Sequence, residues 1–277
     1  MKTTRAIDKL VLQSYSPNTI NTYSSCLKEF EIHFQPKGLL RLSKEEITSY
    51  ILGIAKKGYS RSTLNQHINA IKFYYEKVLD RDRCYYDIDR PRKEFLLPVV
   101  LSKEEVGKLF NNITNLKHRA MASLLYSAGL RVGELINLKI KDIDSARMQI
   151  KIEKGKGSKD RYVPLDNKVL KLLRKYYRTY LPETYLFNGV SSNKYSPTSV
   201  RCVLKNAVKR SNIVKKVTPH TLRHSYATHL LESGTDLRYI QCLLGHNSVK
   251  TTEIYTHVRS IKLNEIKSPF NDLSLDW

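Results

Sequence analysis

The residues best suited to chemistry on a phosphate lie in the second half of this chain. Thr218-Pro219-His220-Thr221-Leu222-Arg223-His224 reads as the start of a helix, with Thr218 as the N-cap and Pro219 at the first helical position. His220 and Arg223 then share one face of the first turn, where free backbone N–H groups and the positive end of the helix dipole favour an anion. In Gly129-Leu130-Arg131-Val132-Gly133-Glu134-Leu135 the glycine ends one helix and Arg131 opens the next, with Glu134 spaced to hold its guanidinium. The planar fork of a guanidinium matches two phosphate oxygens at once. Lys156 occupies the tip of the glycine-flanked turn Lys154-Gly155-Lys156-Gly157-Ser158-Lys159-Asp160, with Lys154, Lys159 and Arg161 beside it as candidate phosphate anchors. Leu243-Leu244-Gly245-His246 reads as a helix end with a histidine just beyond its cap, and Tyr255 follows in Ile254-Tyr255-Thr256-His257.

Each signal taken alone fits a plainer role: a structural histidine, a surface Arg–Glu pair, a soluble lysine-rich turn, or one packed aromatic among 18 tyrosines. Together they supply a nucleophile, two arginines, two histidines and a lysine within one basic region. In-line attack on a phosphodiester builds negative charge on the equatorial oxygens, and fixed cationic donors stabilise it. Two arginines and a histidine can do this without a metal. The sequence has neither a carboxylate cluster of the magnesium or zinc kind nor a GxxxxGK[ST] loop. The expectation is therefore transesterification, with no metal and no cofactor, rather than ATP-driven or metal-dependent hydrolysis.

The elements that must position these groups are mostly helical. Residues 1–88 read as a small all-helical bundle. Ser16-Pro17-Asn18-Thr19 opens a helix carrying Ile20, Tyr23, Leu27 and Phe30, and Ser43-Lys44-Glu45-Glu46 is a capping box before Ile47, Tyr50, Ile51 and Ile54. A third helix runs from Ser62 with Leu64, Ile68, Ile71 and Tyr75 on one face. Residues 89–99, with two prolines and mixed charge, read as a linker. A second capping box, Ser102-Lys103-Glu104-Glu105, starts a domain over 100–260, with two strands around the lysine turn at Ile150–Ile152 and Tyr162–Leu165. Residues 261–277 form a tail holding Phe270, Leu273 and Trp277.

Charge points to the partner. Lys and Arg outnumber Asp and Glu by 48 to 26 in 277 residues, a formal net charge of +22. Residues 1–99 hold 17 basic and 11 acidic side chains, and residues 100–277 hold 31 and 15, so the excess is concentrated in the second half. Such an excess favours a polyanion, because neutralised phosphates release condensed counterions. The four cysteines are scattered without a CxxC pair, which fits reduced thiols better than a zinc site or a disulfide frame. No apolar run approaches the roughly 20 residues of a membrane span, and the N-terminus lacks the apolar stretch of a secretory signal. A cytoplasmic protein with access to the chromosome, and no membrane partner, is expected.

In these stretches the sequence resembles the tyrosine recombinase (integrase) family, especially its compact Xer-like members. The matching segments are Tyr126 to Leu135, Gly155 to Arg161, Pro219 to His224, and Leu244-Gly245-His246 with Thr251-Thr252 and Ile254 to His257, in the family's order. Ser16 to Tyr23 resembles the family's N-terminal region more loosely. The resemblance implies a mainly α chain: a helical core-binding (SAM-like) domain, then an α+β catalytic domain with a small antiparallel sheet. It implies that Tyr255 is a nucleophile forming a 3′-phosphotyrosyl bond and that Arg131 and Arg223 clamp the scissile phosphate. Lys156 becomes the general acid for the leaving 5′-oxygen, His220 takes part in proton transfer with the tyrosine, and His246 donates to the phosphate. It further implies double-stranded DNA with a specific core site, a homo-tetramer in the synaptic complex and exchange through a Holliday junction. The tail is then a segment that packs in cis or on a neighbouring protomer, and no arm-site domain is expected. A type IB topoisomerase shares the nucleophile and cationic clamp, and a non-cutting DNA-binding regulator shares the charge. The target sequence, the biological task (integration and excision, inversion, or dimer resolution) and the need for a second recombinase or accessory protein stay open at this level.

Overall fold

A computed structural model describes residues 2–81, 90, 97–153, 160–189 and 194–257. Lys156 and its neighbours Lys154 and Lys159, most of the 89–99 linker and the 261–277 tail lie outside the described residues. The chain divides into two compact units, Met1–Phe95 and Leu96–Trp277.

The first unit is helical. It comprises α1 (Lys2–Leu12), α2 (Pro17–His33), α3 (Lys44–Lys56) and α4 (Arg61–Phe73), the last running into a π-helical segment at Tyr74–Val78. The local chemistry sets these starts. Ser16 accepts from the Thr19 N–H with Pro17 following, and Ser43 and Glu46 form the reciprocal capping box expected of them. The third predicted helix begins slightly earlier than its periodicity suggests, because Ser60 rather than a later serine caps it. The apolar faces of α2, α3 and α4 close on Leu27, Phe30, Ile47, Ile68 and Ile71, all fully buried. The helix α1 was not apparent as a separate element from the apolar spacing.

The second unit carries the small sheet. Helices α5 (Lys103–Asn111), α6 (Leu116–Ser127) and α7 (Val132–Asn137) precede it. Three antiparallel strands follow, β1 (Ile143–Asp144), β2 (Gln149–Ile152) and β3 (Arg161–Pro164), in the order β1-β2-β3. Ile150 pairs with Val163 and Ile152 with Arg161, so both strands turn alternate residues into the core. The edge strand β1 is an addition to the two expected strands. Helices α8 (Asn167–Tyr180), α9 (Pro197–Arg210), α10 (Pro219–Glu232) and α11 (Leu237–Leu244) complete the unit, with a short turn of helix, α12 (Lys250–Glu253), before Tyr255. Buried residues occupy almost every side of α10, including Leu222, Arg223, Ser225, Tyr226 and Thr228, so it is a central helix rather than an amphipathic surface one. It packs on α6 and α11.

Gly129, between α6 and α7, adopts φ +59°, and a Cβ there would lie 2.5 Å from Tyr226 Cδ1 on α10. Only glycine satisfies both conditions. Gly129→Ala is expected to lose about 2–3 kcal/mol from left-handed strain and overpacking, read as a lower urea midpoint with an unchanged slope.

Candidate active site

The N-terminus of α10 forms as its sequence dictates: the Thr218 hydroxyl accepts from the Thr221 N–H at 3.2 Å, with Pro219 at the first position. One turn in, Arg223 is 3% exposed and held on two sides. Its Nη1 donates to the Gly129 carbonyl and its Nη2 to the Leu244 carbonyl, each at 2.5 Å, and Nη2 lies 3.2 Å from His246 Nε2. The carbonyl of the αL glycine and the last carbonyl of α11 thus fix the guanidinium between them. Burial, then the neighbouring charge of Arg131, pushes Arg223 down to about 10, which leaves it cationic at neutral pH.

Glu134 is the anchor on the other side. Its carboxylate accepts from the Arg131 backbone N–H at 2.8 Å and from Arg131 Nη1 at 2.9 Å. It also receives a bidentate pair from Arg161, Nη1 and Nη2 both at 2.8 Å, and Arg223 Nη1 stands 3.9 Å away. Burial alone would raise the Glu134 carboxyl, but hydrogen bonds and charge from Arg161, with those from Arg131, bring it down to about 2. Arg161 is therefore a strut rather than one of the phosphate anchors expected of it, and its Nε also donates to the Leu243 carbonyl at 2.8 Å. Strand parity explains this: Arg161 shares the inward face of β3 with Val163.

The end of α11 delivers the next group. Gly245 is left-handed at φ +60°, its N–H bonds to the Cys242 carbonyl and the His246 N–H bonds to the Gln241 carbonyl, a Schellman ending. A Cβ on Gly245 would meet Arg161 Cδ at 3.0 Å, so glycine is needed here for approach as well as for its dihedral. The Gly245 carbonyl accepts from Arg131 Nη2 at 3.2 Å. His246 follows, with Nδ1 hydrogen-bonded to the buried Thr252 hydroxyl at 2.9 Å. Because Arg223 can only donate, His246 Nε2 accepts and the imidazole proton resides on Nδ1. Burial, then Arg223 and Arg131, lowers His246 to about 4, so it is neutral.

Tyr255 is 1% exposed and belongs to a small core with Tyr226, Ala227, Leu231, Ile240 and Leu244. Its ring lies nearly parallel to that of His246, with centroids 6.5 Å apart. Its hydroxyl is 3.0 Å from His224 Nδ1. Burial raises the phenol, while Arg223 and then Arg131 pull the other way. His224 falls to about 4 through burial, then His220 and Arg223. His220 itself stands exposed on the first turn of α10, with its ring 6.3 Å from that of His224. A cleft of about 650 Å³ opens here, with Arg131, Glu134, Lys139 and His220 among the residues lining it.

Arg131, Arg223, His246 and Tyr255 are thus joined through direct contacts and the adjacent carbonyls of Leu244 and Gly245, with His220 at the rim, while Lys156 lies outside the described residues. The residue missed from sequence is His224. The signal was present, since positions 220, 223 and 224 share one helical face. What the cluster can do chemically is hold an anion beside a protonated phenol that is hydrogen-bonded to an imidazole.

Two outcomes follow from the charges. Glu134→Gln leaves Arg161 and Arg131 without their counter-ion and is expected to cost about 3–5 kcal/mol in denaturant unfolding. Folded His224 and His246 sit below their ordinary value near 6.5, so as pH falls the unfolded chain takes up protons first. Stability should therefore decline from pH 6.5 to about 4, then further towards pH 2 as Glu134 protonates. The melting temperature against pH checks this, and the His224→Asn/His246→Asn double variant should flatten the upper part of the slope.

Comparison with known proteins gives the same frame. Residues 99–261 match the Phage integrase family, and residues 4–83 match the Phage integrase, N-terminal SAM-like domain. The chain is 38% identical to tyrosine recombinase XerA of Pyrococcus horikoshii, over 92% of this chain and 88% of that one. It is 34% identical to a tyrosine recombinase of Thermosipho africanus, over 89% and 91%. Among solved structures, XerH site-specific recombinase bound to difH substrate in a pre-cleavage complex superposes with a TM-score of 0.74 at 23% identity, covering 94% of this chain and 82% of that one. A mainly helical chain with a SAM-like N-terminal domain and a small three-stranded sheet, it belongs to the phage integrase family and is a tyrosine-type site-specific recombinase.

Proposed function

We propose that this recombinase cleaves and rejoins duplex DNA at a specific core site through a 3′-phosphotyrosyl bond to Tyr255, without metal or ATP. The observation that carries the proposal is the buried Tyr255 phenol in one cluster with Arg223, Arg131 and His246. Attack by the phenol oxygen on a DNA phosphorus forms the tyrosyl ester, breaks the bond to the 5′-oxygen and releases a 5′-hydroxyl, so bond energy is kept for rejoining. Arg131 and Arg223 hold the non-bridging oxygens, each already fixed by carbonyls or by Glu134, so little reorganisation is needed when charge develops. Donation from His246 to the phosphate requires its proton on Nε2. The Thr252 hydroxyl serves either tautomer, since it can donate to Nδ1 as well as accept from it. His220 adds a donor from the cleft rim, and Lys156 protonates the leaving 5′-oxygen.

In this scheme the helical unit over 1–88 is the core-binding domain and residues 100–260 the catalytic domain, with four protomers in the synaptic complex passing through a Holliday junction. The XerH structure named above is bound to its difH substrate. The +22 charge suits a DNA partner, and among the described residues no helix is long and apolar enough to cross a membrane, in keeping with work in the cytoplasm. Integration and excision, inversion and dimer resolution all use this chemistry, with or without a second recombinase or accessory protein.

On a nicked suicide substrate carrying the core site, the wild-type chain should form a covalent DNA adduct in EDTA without ATP. Tyr255→Phe should form none while binding the site nearly as well, and adduct persisting in that variant would remove Tyr255 from the mechanism. Arg223→Ala should slow adduct formation by about 10²–10³-fold.

A further inference from the structure

Away from the phosphate cluster, α8 carries a charge arrangement that the chemistry above does not use. Val169, Leu170, Leu173 and Tyr176 are buried, while Lys168, Lys171, Arg174, Lys175 and Arg178 are all exposed. No acidic residue lies between Asn167 and Tyr180. The preceding Asp166 is taken up in capping the helix, accepting from the Lys168 and Val169 N–H groups at 2.7 and 3.2 Å. Among the described residues, none of the five cations has a carboxylate within ion-pair distance. Lys171 with Lys175, and Arg174 with Arg178, are like charges at i and i+4, which repel one another on a helix. A partner of opposite charge relieves that repulsion.

An apolar cleft of about 250 Å³ lies beside these charges. Ile140, Ile143, Leu170, Leu173, Tyr177 and Leu186 line it, and Arg174 and Arg178 complete the lining. Its wall is fixed by backbone pairing: the Leu186 N–H donates to the Leu138 carbonyl at 2.7 Å, and the Ile140 N–H to the Thr184 carbonyl at 3.2 Å. At the end of α8, Tyr177, Tyr180 and Leu181 are exposed, Leu181 by 69%. Leu181 caps the helix at φ +42°, a left-handed position where glycine is the ordinary residue. Its side chain thus carries strain and belongs to no core cluster of the unit.

We propose that the exposed face of α8 and this cleft form a docking surface for an acidic, amphipathic segment of a partner protein. Carboxylates of the segment meet the α8 cations, and its apolar side chains enter the cleft and cover Leu181. Charge complementarity combined with an apolar recess selects this occupant. A nucleic-acid backbone would satisfy the cations but leave the recess and Leu181 in water. An uncharged apolar segment would fill the recess and leave the cations repelling one another. No residue of the phosphate cluster lines the cleft, so a segment docked here leaves Arg131, Arg223, His246 and Tyr255 open to DNA. The surface is therefore separate from the reaction, and its assignment does not rest on Tyr255 being the nucleophile.

The probe is a synthetic glutamate-rich peptide of about 15 residues with Leu, Phe and Leu at i, i+4 and i+7. In fluorescence anisotropy at about 0.15 M salt, where charges are screened beyond ~8 Å, the full chain should bind it with a Kd of about 10–100 μM. A scrambled peptide of the same composition, its apolar residues dispersed around the helix, should bind about tenfold more weakly. Arg174→Glu/Arg178→Glu should weaken the probe by about tenfold or more, with adduct formation on the core-site substrate unchanged. Leu181→Gly, which suits the left-handed backbone, should keep the melting temperature and weaken the probe by about two- to fivefold. A photo-crosslinker in place of the peptide phenylalanine should mark residues 140–145 or 170–181. No saturable binding up to about 1 mM, equal binding of the scrambled peptide, undiminished binding by the charge-reversed variant, or crosslinks confined to the phosphate cluster would each overturn the proposal. So would a peptide of residues 261–277 that binds the same cleft more tightly than the probe, which makes the surface a site for this chain's own tail. A loss of duplex-DNA affinity on charge reversal as large as the loss of peptide affinity would overturn it in favour of a nucleic-acid face.

Discussion

A single buried carboxylate holds the arginine cluster of the second unit together. Glu134 satisfies the first turn of α7 through the Arg131 N–H, and the same two oxygens take the guanidiniums of Arg131 and Arg161. Three arginines close together repel one another, and among the described residues Glu134 is the carboxylate within ion-pair distance of all three. Arg161 in turn grips the end of α11 through the Leu243 carbonyl, which places Gly245, His246 and the carbonyls that Arg131 and Arg223 use. Strand, helix and loop are locked to one another through that ion cluster.

The cluster also sets the protonation of everything near it. Burial and the neighbouring cationic charges keep His224 and His246 neutral and lower His220 in the same direction, and burial keeps the phenol protonated. The cluster thus sets cationic groups suited to an anion beside a buried, protonated phenol. In the reaction proposed here an incoming phosphate would add negative charge beside these groups, coupling substrate binding to activation of Tyr255 through electrostatics.

Local features of the fold could be read from the sequence. The capping boxes at Ser43 and Ser102, the Ser16-Pro17 and Thr218-Pro219 starts and the Gly129 and Gly245 endings all depend on interactions within a few residues, and all appear in the structure. Elements without such punctuation were harder to read: α1 has no acidic residue in its first turn, and β1 is two residues long. The Arg161 assignment failed for a different reason. Its charge suggested a phosphate anchor, although its parity with Val163 already placed it on the inward face of the strand.

The sequence alone determined which groups exist and which local motif presents each: two arginines at helix starts, a histidine past a Schellman glycine, a tyrosine beyond a short helical turn. Tertiary structure decided their partnerships. His224 meets Tyr255 across 31 residues, and Arg223 meets the Gly129 carbonyl across 94. No local spacing rule reaches so far. Such pairings are fixed by the packing of α10 against α6 and α11, which makes buried donors and acceptors choose among the few neighbours the core leaves them.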